Sequence, residues 1–182
     1  KKGIQKLEQA GIAVTTGVME QEVRKQNVRF FTQMEKKRPY IILKWAQTKD
    51  GFVARTNFDS KWISNSLSRQ QVHRWRTEED AILVGTNTAR YDNPRLNARD
   101  WYGKDPLRLV VDRELKLEES LHLFDGQQDT IIYNNQINKT VGKTEWAKMD
   151  VRIDAKEIVG DLYARNIQSL IVEGGAAVLG DF

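Results

Sequence analysis

Ser169-Leu170-Ile171-Val172-Glu173-Gly174-Gly175-Ala176-Ala177 is the stretch that decides the fold. Its continuous apolar run is the signature of a strand buried on both faces, as in a parallel sheet covered by helices. A carboxylate stands at the strand end, two glycines follow, and a helix is expected from about Val178. Glycines between a strand and a helix let a ligand approach the backbone closely, and a helix start favours an anion. The other reading is a tight turn with a solvated glutamate. The usual dinucleotide fingerprint, three spaced glycines after the first strand, is absent.

The same pattern repeats outward from this stretch. Apolar strands are expected at 40–45 (interrupted by Lys44), 81–85, 107–111 and 130–133. Helical patterns fall at 66–79 and 158–165, with a helical turn or loop at 86–92. Asp50-Gly51 is a turn signal after which Phe52-Val53-Ala54 could pair back. Residues 1–31 form a separate piece: a helix end at 3–10, a short strand Ile12-Ala13-Val14 and a helix at 20–31. A basic linker at 33–39 ends in Pro39, which disfavours helix before it. Strands alternating with helices predict an α/β fold with a mostly parallel sheet and helices on both faces. Ligands of such sheets bind outside the carboxyl ends of the strands. That directs attention to Gly85-Thr86, Asp112-Arg113 and Glu173-Gly174-Gly175.

Composition narrows the chemistry. The chain has 182 residues, 40% hydrophobic and 30% charged, which suits a globular protein. It has no cysteine, so disulfides and thiolate catalysis are excluded, and with only His73 and His122 no metal site is expected. The net charge of +4 comes from basic residues interleaved with acidic ones, which argues against a nucleic-acid surface. No apolar run approaches the roughly 20 residues of a membrane-spanning helix. A cytoplasmic enzyme is the expectation.

Several residues have both a functional and an ordinary reading. Lys44 interrupts an apolar strand, where it either meets a partner or ligand or reaches solvent from an edge. Trp62, in Ser60-Lys61-Trp62-Ile63-Ser64, could cover a flat ring or fill a core, while Ser64, Asn65 or Ser66 caps the next helix. Gly85-Thr86-Asn87-Thr88 could bind phosphate or ribose, or form an ordinary turn. Arg76, Arg95, Arg99 and Arg113 suit phosphates, though single arginines are commonly surface residues.

Taken together, these segments resemble the C-terminal reductase domain of the bifunctional riboflavin-biosynthesis pyrimidine deaminase/reductase family. The resemblance rests on Arg38-Pro39-Tyr40, Lys44-Trp45-Ala46, Asp50-Gly51, Ser60-Lys61-Trp62-Ile63 and His73-Arg74-Trp75-Arg76. It continues through Asp80-Ala81-Ile82-Leu83-Val84-Gly85, Thr88, Asp92-Asn93-Pro94, Leu96 with Arg99, and Glu173-Gly174-Gly175. It covers roughly 38–182. Residues 1–37, through Ala10-Gly11-Ile12-Ala13-Val14, Gly17-Val18, Glu22 and Asn27-Val28-Arg29-Phe30, look like the tail of the deaminase domain plus a linker. A deaminase zinc site needs a His-x-Glu and a Pro-Cys-x-x-Cys motif, and neither occurs, so deaminase activity is not expected of this chain. Because family members continue for several strands, the reductase domain is expected to be incomplete after Phe182.

The resemblance implies a dihydrofolate-reductase-like fold. It also implies NADPH-dependent reduction of the ribosyl group of 5-amino-6-(5-phosphoribosylamino)uracil to the ribityl form. By matched position, Lys44, Ser60, Arg76, Leu96, Arg99 and Glu173 would face the substrate, with Arg76 and Arg99 on its phosphate. Ala46, Trp62, Thr88, Asp92, Gly174, Gly175, Ala176, Ala177, Val178, Leu179, Gly180 and Asp181 would line the cofactor. Lys44 and Asp92 would be catalytic. Arg90, Arg113 and Lys116 are candidates for a 2′-phosphate. A homodimer or higher homo-oligomer of the full-length protein is implied as well. The alternatives are a folate-type reductase of the same fold and a non-catalytic nucleotide-binding or dimerisation fragment.

Overall fold

A computed structural model describes residues 2–53, 63–150 and 152–182. Among the described residues seven strands form one sheet: β1 (Tyr40–Lys44), β2 (Ala81–Gly85), β3 (Leu107–Val111), β4 (Thr130–Asn134), β5 (Lys139–Val141), β6 (Thr144–Lys148) and β7 (Ser169–Glu173). Their order is β1-β7-β2-β3-β4-β6-β5, and every pairing is parallel except β5 with β6. The mostly parallel sheet read from the apolar runs is therefore present.

The helices are α1 (Lys2–Gln9), α2 (Glu20–Gln26), α3 (Val28–Lys36), α4 (Ser66–Glu78), α5 (Thr86–Asp92), α6 (Ala155–Ala164) and α7 (Ala176–Asp181). Connections between parallel strands are right-handed, so the direction of travel along the sheet selects the face a crossover covers. The chain steps one way from β1 to β2 to β3 and returns from β6 to β7. Accordingly α5 packs Ala89 with Ile82, Val84, Val110 and Ile171 on one face. On the other face α6 packs Ile158 and Leu162 with Leu83, Leu109, Leu170 and Val172. Helices thus cover both faces, as expected.

Four local readings are corrected. Ile12-Ala13-Val14 is not a strand; among the described residues no strand pairs with it. The helix read over 20–31 is two helices broken at Asn27, whose φ of −106° and ψ of 30° leave the helical range. The linker read over 33–39 is helical as far as Lys36 and stops where Lys37 turns left-handed at φ 55°. Phe52 folds back on Thr48 through a turn, its carbonyl accepting from the Thr48 N–H at 2.9 Å, without making a strand. Ala54 of that reading lies outside the described residues. The β5–β6 hairpin was not anticipated; β5 is exposed, and β6 mixes polar residues with Trp146 and Ala147, with Gly142 at φ +57° in the turn. Among the described residues no helix is long and apolar enough to cross a membrane.

Candidate active site

The carboxyl ends of β1, β7 and β2 lie side by side, with Lys44 registered against Glu173. They open into a cleft of about 1540 Å³, floored by the strand ends and walled by α4, α5 and the loop from Asn93 to Asp100. The sequence builds this opening with small residues. A Cβ on Gly85 would sit 2.5 Å from a Val178 methyl, so α7 closes over the end of β2 only because position 85 has no side chain. Gly174, at φ +158°, lies against Thr88, and the Gly175 N–H donates to the Thr88 hydroxyl at 3.2 Å. A Cβ on Gly175 would meet nothing, so its backbone faces open space. The helix after the glycines is only six residues long, so its dipole adds little to anion binding here.

Three charged side chains meet on the cleft floor. Glu173 is buried at the end of β7. Arg76, buried on α4, donates to it from Nε at 3.4 Å and from Nη2 at 3.1 Å and 3.3 Å. The Lys44 ammonium stands 3.6 Å from the same carboxylate. Two cations around one carboxylate leave a net positive charge in a partly desolvated recess. That arrangement favours an anionic group or an oxygen or nitrogen that gains negative charge. The Arg76–Glu173 contacts are long for charge-assisted bonds, so the pair is held less tightly than an ideal fork.

The loop over this floor is held from α4. Arg76 Nη1 donates to the Asn97 carbonyl at 3.0 Å, and His73 Nδ1 contacts the same carbonyl at 2.9 Å. His73 Nε2 stands 3.2 Å from the Asp100 carboxylate. Burial, with the charges of Arg76 and Arg99 adding to it, holds the His73 imidazole pKa below its ordinary value against the opposing pull of Asp100. Leu96 takes a left-handed backbone, φ 55°, with its side chain in the core. Arg99 is exposed and bonds the Asn97 side-chain oxygen at 3.0 Å.

The structure brings most of the expected residues into this one cleft. Lys44, Ala46, Arg76, Thr88, Asp92, Leu96, Arg99, Glu173 and Gly174 through Val178 line it, as does Asp181. Leu96 borders it as a buried residue whose side chain packs in the core. Leu179 packs into the core beside the sheet. Ser60 and Trp62 lie outside the described residues. Arg90, Arg113 and Lys116 line the far side. Two of them also brace backbone there: Arg90 donates to the Lys116 carbonyl and Arg113 to that of Ile153. Sequence reasoning missed Asn97 and Asp100 and gives His73 no task. The available signal was spacing, because His73 and Arg76 are three apart on a helix and share a face.

A family model described as the RibD C-terminal domain matches residues 39–182. The riboflavin biosynthesis protein RibD of Aquifex aeolicus is 39% identical over 187 aligned positions, which cover 100% of this chain and 52% of that protein. RibD of Bacillus amyloliquefaciens is 35% identical, again over 100% of this chain and 52% of its own length. A crystal structure from Thermotoga maritima, described as a diaminohydroxyphosphoribosylaminopyrimidine deaminase/5-amino-6-(5-phosphoribosylamino)uracil reductase, superposes with a TM-score of 0.84 at 34% identity. That superposition covers 99% of this chain and 51% of the other. The chain therefore spans about half the length of the relatives it matches. With the model covering most of its length, the chain belongs to the RibD C-terminal domain family.

Proposed function

We propose that this chain carries an NADPH-dependent reductase that converts the ribosyl group of 5-amino-6-(5-phosphoribosylamino)uracil to the ribityl form. The observation that carries the reading is the Lys44–Glu173–Arg76 cluster at the carboxyl edge of the sheet, within one long cleft. The family supplies the reaction class, and the cluster supplies chemistry that suits it.

The residues fit a dinucleotide cofactor. Gly175 offers open backbone, Thr88 offers a hydroxyl beside it, and Arg90, Arg113 and Lys116 give positive charge farther along the cleft. Ala46, Thr88, Asp92, Gly174 through Val178 and Asp181 would hold it, and the charge on that far side suits a 2′-phosphate. When bound, the cofactor supplies a hydride.

The chain's own residues bind, orient and handle charge. Arg99 and Arg76 suit the substrate phosphate through forked contacts. Glu173 accepts hydrogen bonds from substrate N–H or hydroxyl groups and holds Lys44 in place. The open-chain form of the sugar presents an electrophilic first carbon. As that carbon is reduced, its nitrogen or oxygen gains electron density, and the Lys44 ammonium donates a hydrogen bond or proton to it. Asp92 lines the same cleft and would orient the cofactor side or relay a proton. Burial of the cleft floor strengthens each of these interactions. The substrate is a small phosphorylated pyrimidine, a cytoplasmic location suits it, and a homodimer of the full-length protein is expected.

The test is oxidation of NADPH by the full-length protein on addition of the deaminated pyrimidine, with the product gaining two hydrogens by mass spectrometry. Turnover that Lys44→Met abolishes while cofactor still binds supports the assignment. Absence of turnover with this substrate, or unchanged turnover in Lys44→Met, rejects it.

A further inference from the structure

We propose that His73 is a positioning residue for the substrate's phosphate: it fixes the loop from Asn97 to Asp100, and that loop presents Arg99 to the cleft. The inference rests on the proposed reductase reading and assigns a task to a side chain outside the reacting cluster.

The geometry singles out His73. It is a buried side chain on α4, whose neighbour one turn along, Arg76, reaches the cleft floor. Its two ring nitrogens meet two different points of one loop: Nδ1 the Asn97 carbonyl at 2.9 Å, Nε2 the Asp100 carboxylate at 3.2 Å. A carbonyl only accepts, so Nδ1 carries the proton that is donated to Asn97; in the neutral ring Nε2 is then an acceptor, and it bonds the Asp100 carboxylate only in the imidazolium form. Arg76 donates to the same carbonyl at 3.0 Å, so a single oxygen is held from two residues of one helix face. Asn97 in turn accepts from Arg99 through its side-chain oxygen at 3.0 Å. The chain of contacts therefore runs from α4 through Asn97 to the Arg99 guanidinium.

The loop needs such a hold. Leu96 sits in the left-handed region at φ 55°, a conformation costly for a side chain of its size, so the surroundings must fix it. Leu96 anchors the loop from below through its buried side chain, and His73 ties it from the side. The charged groups facing the imidazole are Arg76 from α4 and Arg99 and Asp100 from the loop. Two of these three are the cations assigned to the phosphate. Removing the imidazole would leave Arg99 on a loosened loop, while the hydride-accepting end of the cleft keeps Lys44 and Glu173.

The experiment compares three full-length proteins: wild type, His73→Leu and His73→Asn. The asparagine amide nitrogen reaches about as far as Nδ1 and can still donate to the Asn97 carbonyl. In His73→Leu, KM for the phosphorylated substrate is expected to rise about tenfold, the size of effect of one lost hydrogen bond. The kcat and the affinity for NADPH are expected to stay within about twofold. His73→Asn is expected to recover most of the lost KM. Calorimetric binding of ribose 5-phosphate should follow the same order without requiring turnover. The inference is overturned if His73→Leu keeps a normal KM, if kcat and NADPH affinity fall with it in proportion, or if His73→Asn is no better than His73→Leu. If the wild type shows no turnover yet binds ribose 5-phosphate in a His73-dependent way, the reductase reading fails and this one stands. Turnover without His73 dependence gives the reverse.

Discussion

Two buried arginines sit on the same sheet scaffold and do different work. Arg108, on β3, is 1% exposed, and its fork is filled: Thr130 and the Gln128 carbonyl at 2.8 Å and 3.0 Å, the His122 carbonyl at 2.8 Å, and Asp125 at 2.9 Å. Arg76, on α4, is 8% exposed and donates to the Asn97 carbonyl at 3.0 Å, yet its contacts to Glu173 are 3.1–3.4 Å long and it borders the cleft. A guanidinium held by short bonds on all three nitrogens and turned away from the cleft offers a ligand no approach. One whose bonds are long and open to a cleft has capacity left for an anion. Burial alone therefore does not distinguish the two arginines; loose geometry at the cleft does.

The largest expected effect tests the filled fork. Arg108→Met should destabilise the fold by about 3–5 kcal/mol, because Asp125 and several buried acceptors lose their donor. Urea unfolding measures it, and the protein that remains folded should keep its kcat. A loss under about 1 kcal/mol would erase the contrast.

Glu173→Gln tests the open fork. It keeps the shape of the cleft floor and removes the charge that holds Lys44 and Arg76. We expect kcat to fall about 100-fold, roughly 2.7 kcal/mol, with an unfolding midpoint close to wild type. Equal losses of activity and stability would instead make this cluster a second structural one. Gly85→Ala sharpens the comparison from the scaffold side. The new Cβ meets Val178 at 2.5 Å, so α7 must shift, at about 1–3 kcal/mol of stability and with weaker cofactor binding. Normal NADPH affinity in that variant would detach α7 from the cofactor wall.

The smallest expected effect is the pH dependence of stability from His73. Its folded pKa lies below the unfolded value, so the unfolded chain binds the proton more readily. The stabilisation is complete above the ordinary imidazole range and declines as pH falls through that range toward the folded value. His73→Asn should lessen this decline in urea titrations taken at about pH 7.5 and about pH 5.5. An identical decline in both proteins would locate the titration elsewhere.

Much of the scaffold was legible from residues. The apolar runs Ala81–Gly85 and Leu107–Val111 coincide with β2 and β3, because a strand buried on both faces needs little beyond its own side chains to be recognised. The β5–β6 hairpin escaped for the opposite reason. Lys139-Thr140-Val141 is wholly exposed and carries no apolar period, and only the edge of the sheet calls it into a ladder. Ile12-Ala13-Val14 has strand composition but no partner, so composition misled there. In the site, Glu173-Gly174-Gly175 announced itself by position. The pairing of Arg76 with Glu173, 97 residues apart, was reachable only through the family resemblance. Arg108 gave no sign at all, since it sits in an apolar strand and its partners lie 14 to 22 residues away.

The most direct test of the central claim follows the hydride. The full-length protein is given NADPH deuterated at the transferable position, together with the deaminated pyrimidine, and the product is examined by mass spectrometry and NMR. The account predicts deuterium on the first carbon of the ribityl chain, with transfer at least about 100-fold slower in Glu173→Gln. Product without label on that carbon, or equal transfer in the variant, would contradict it.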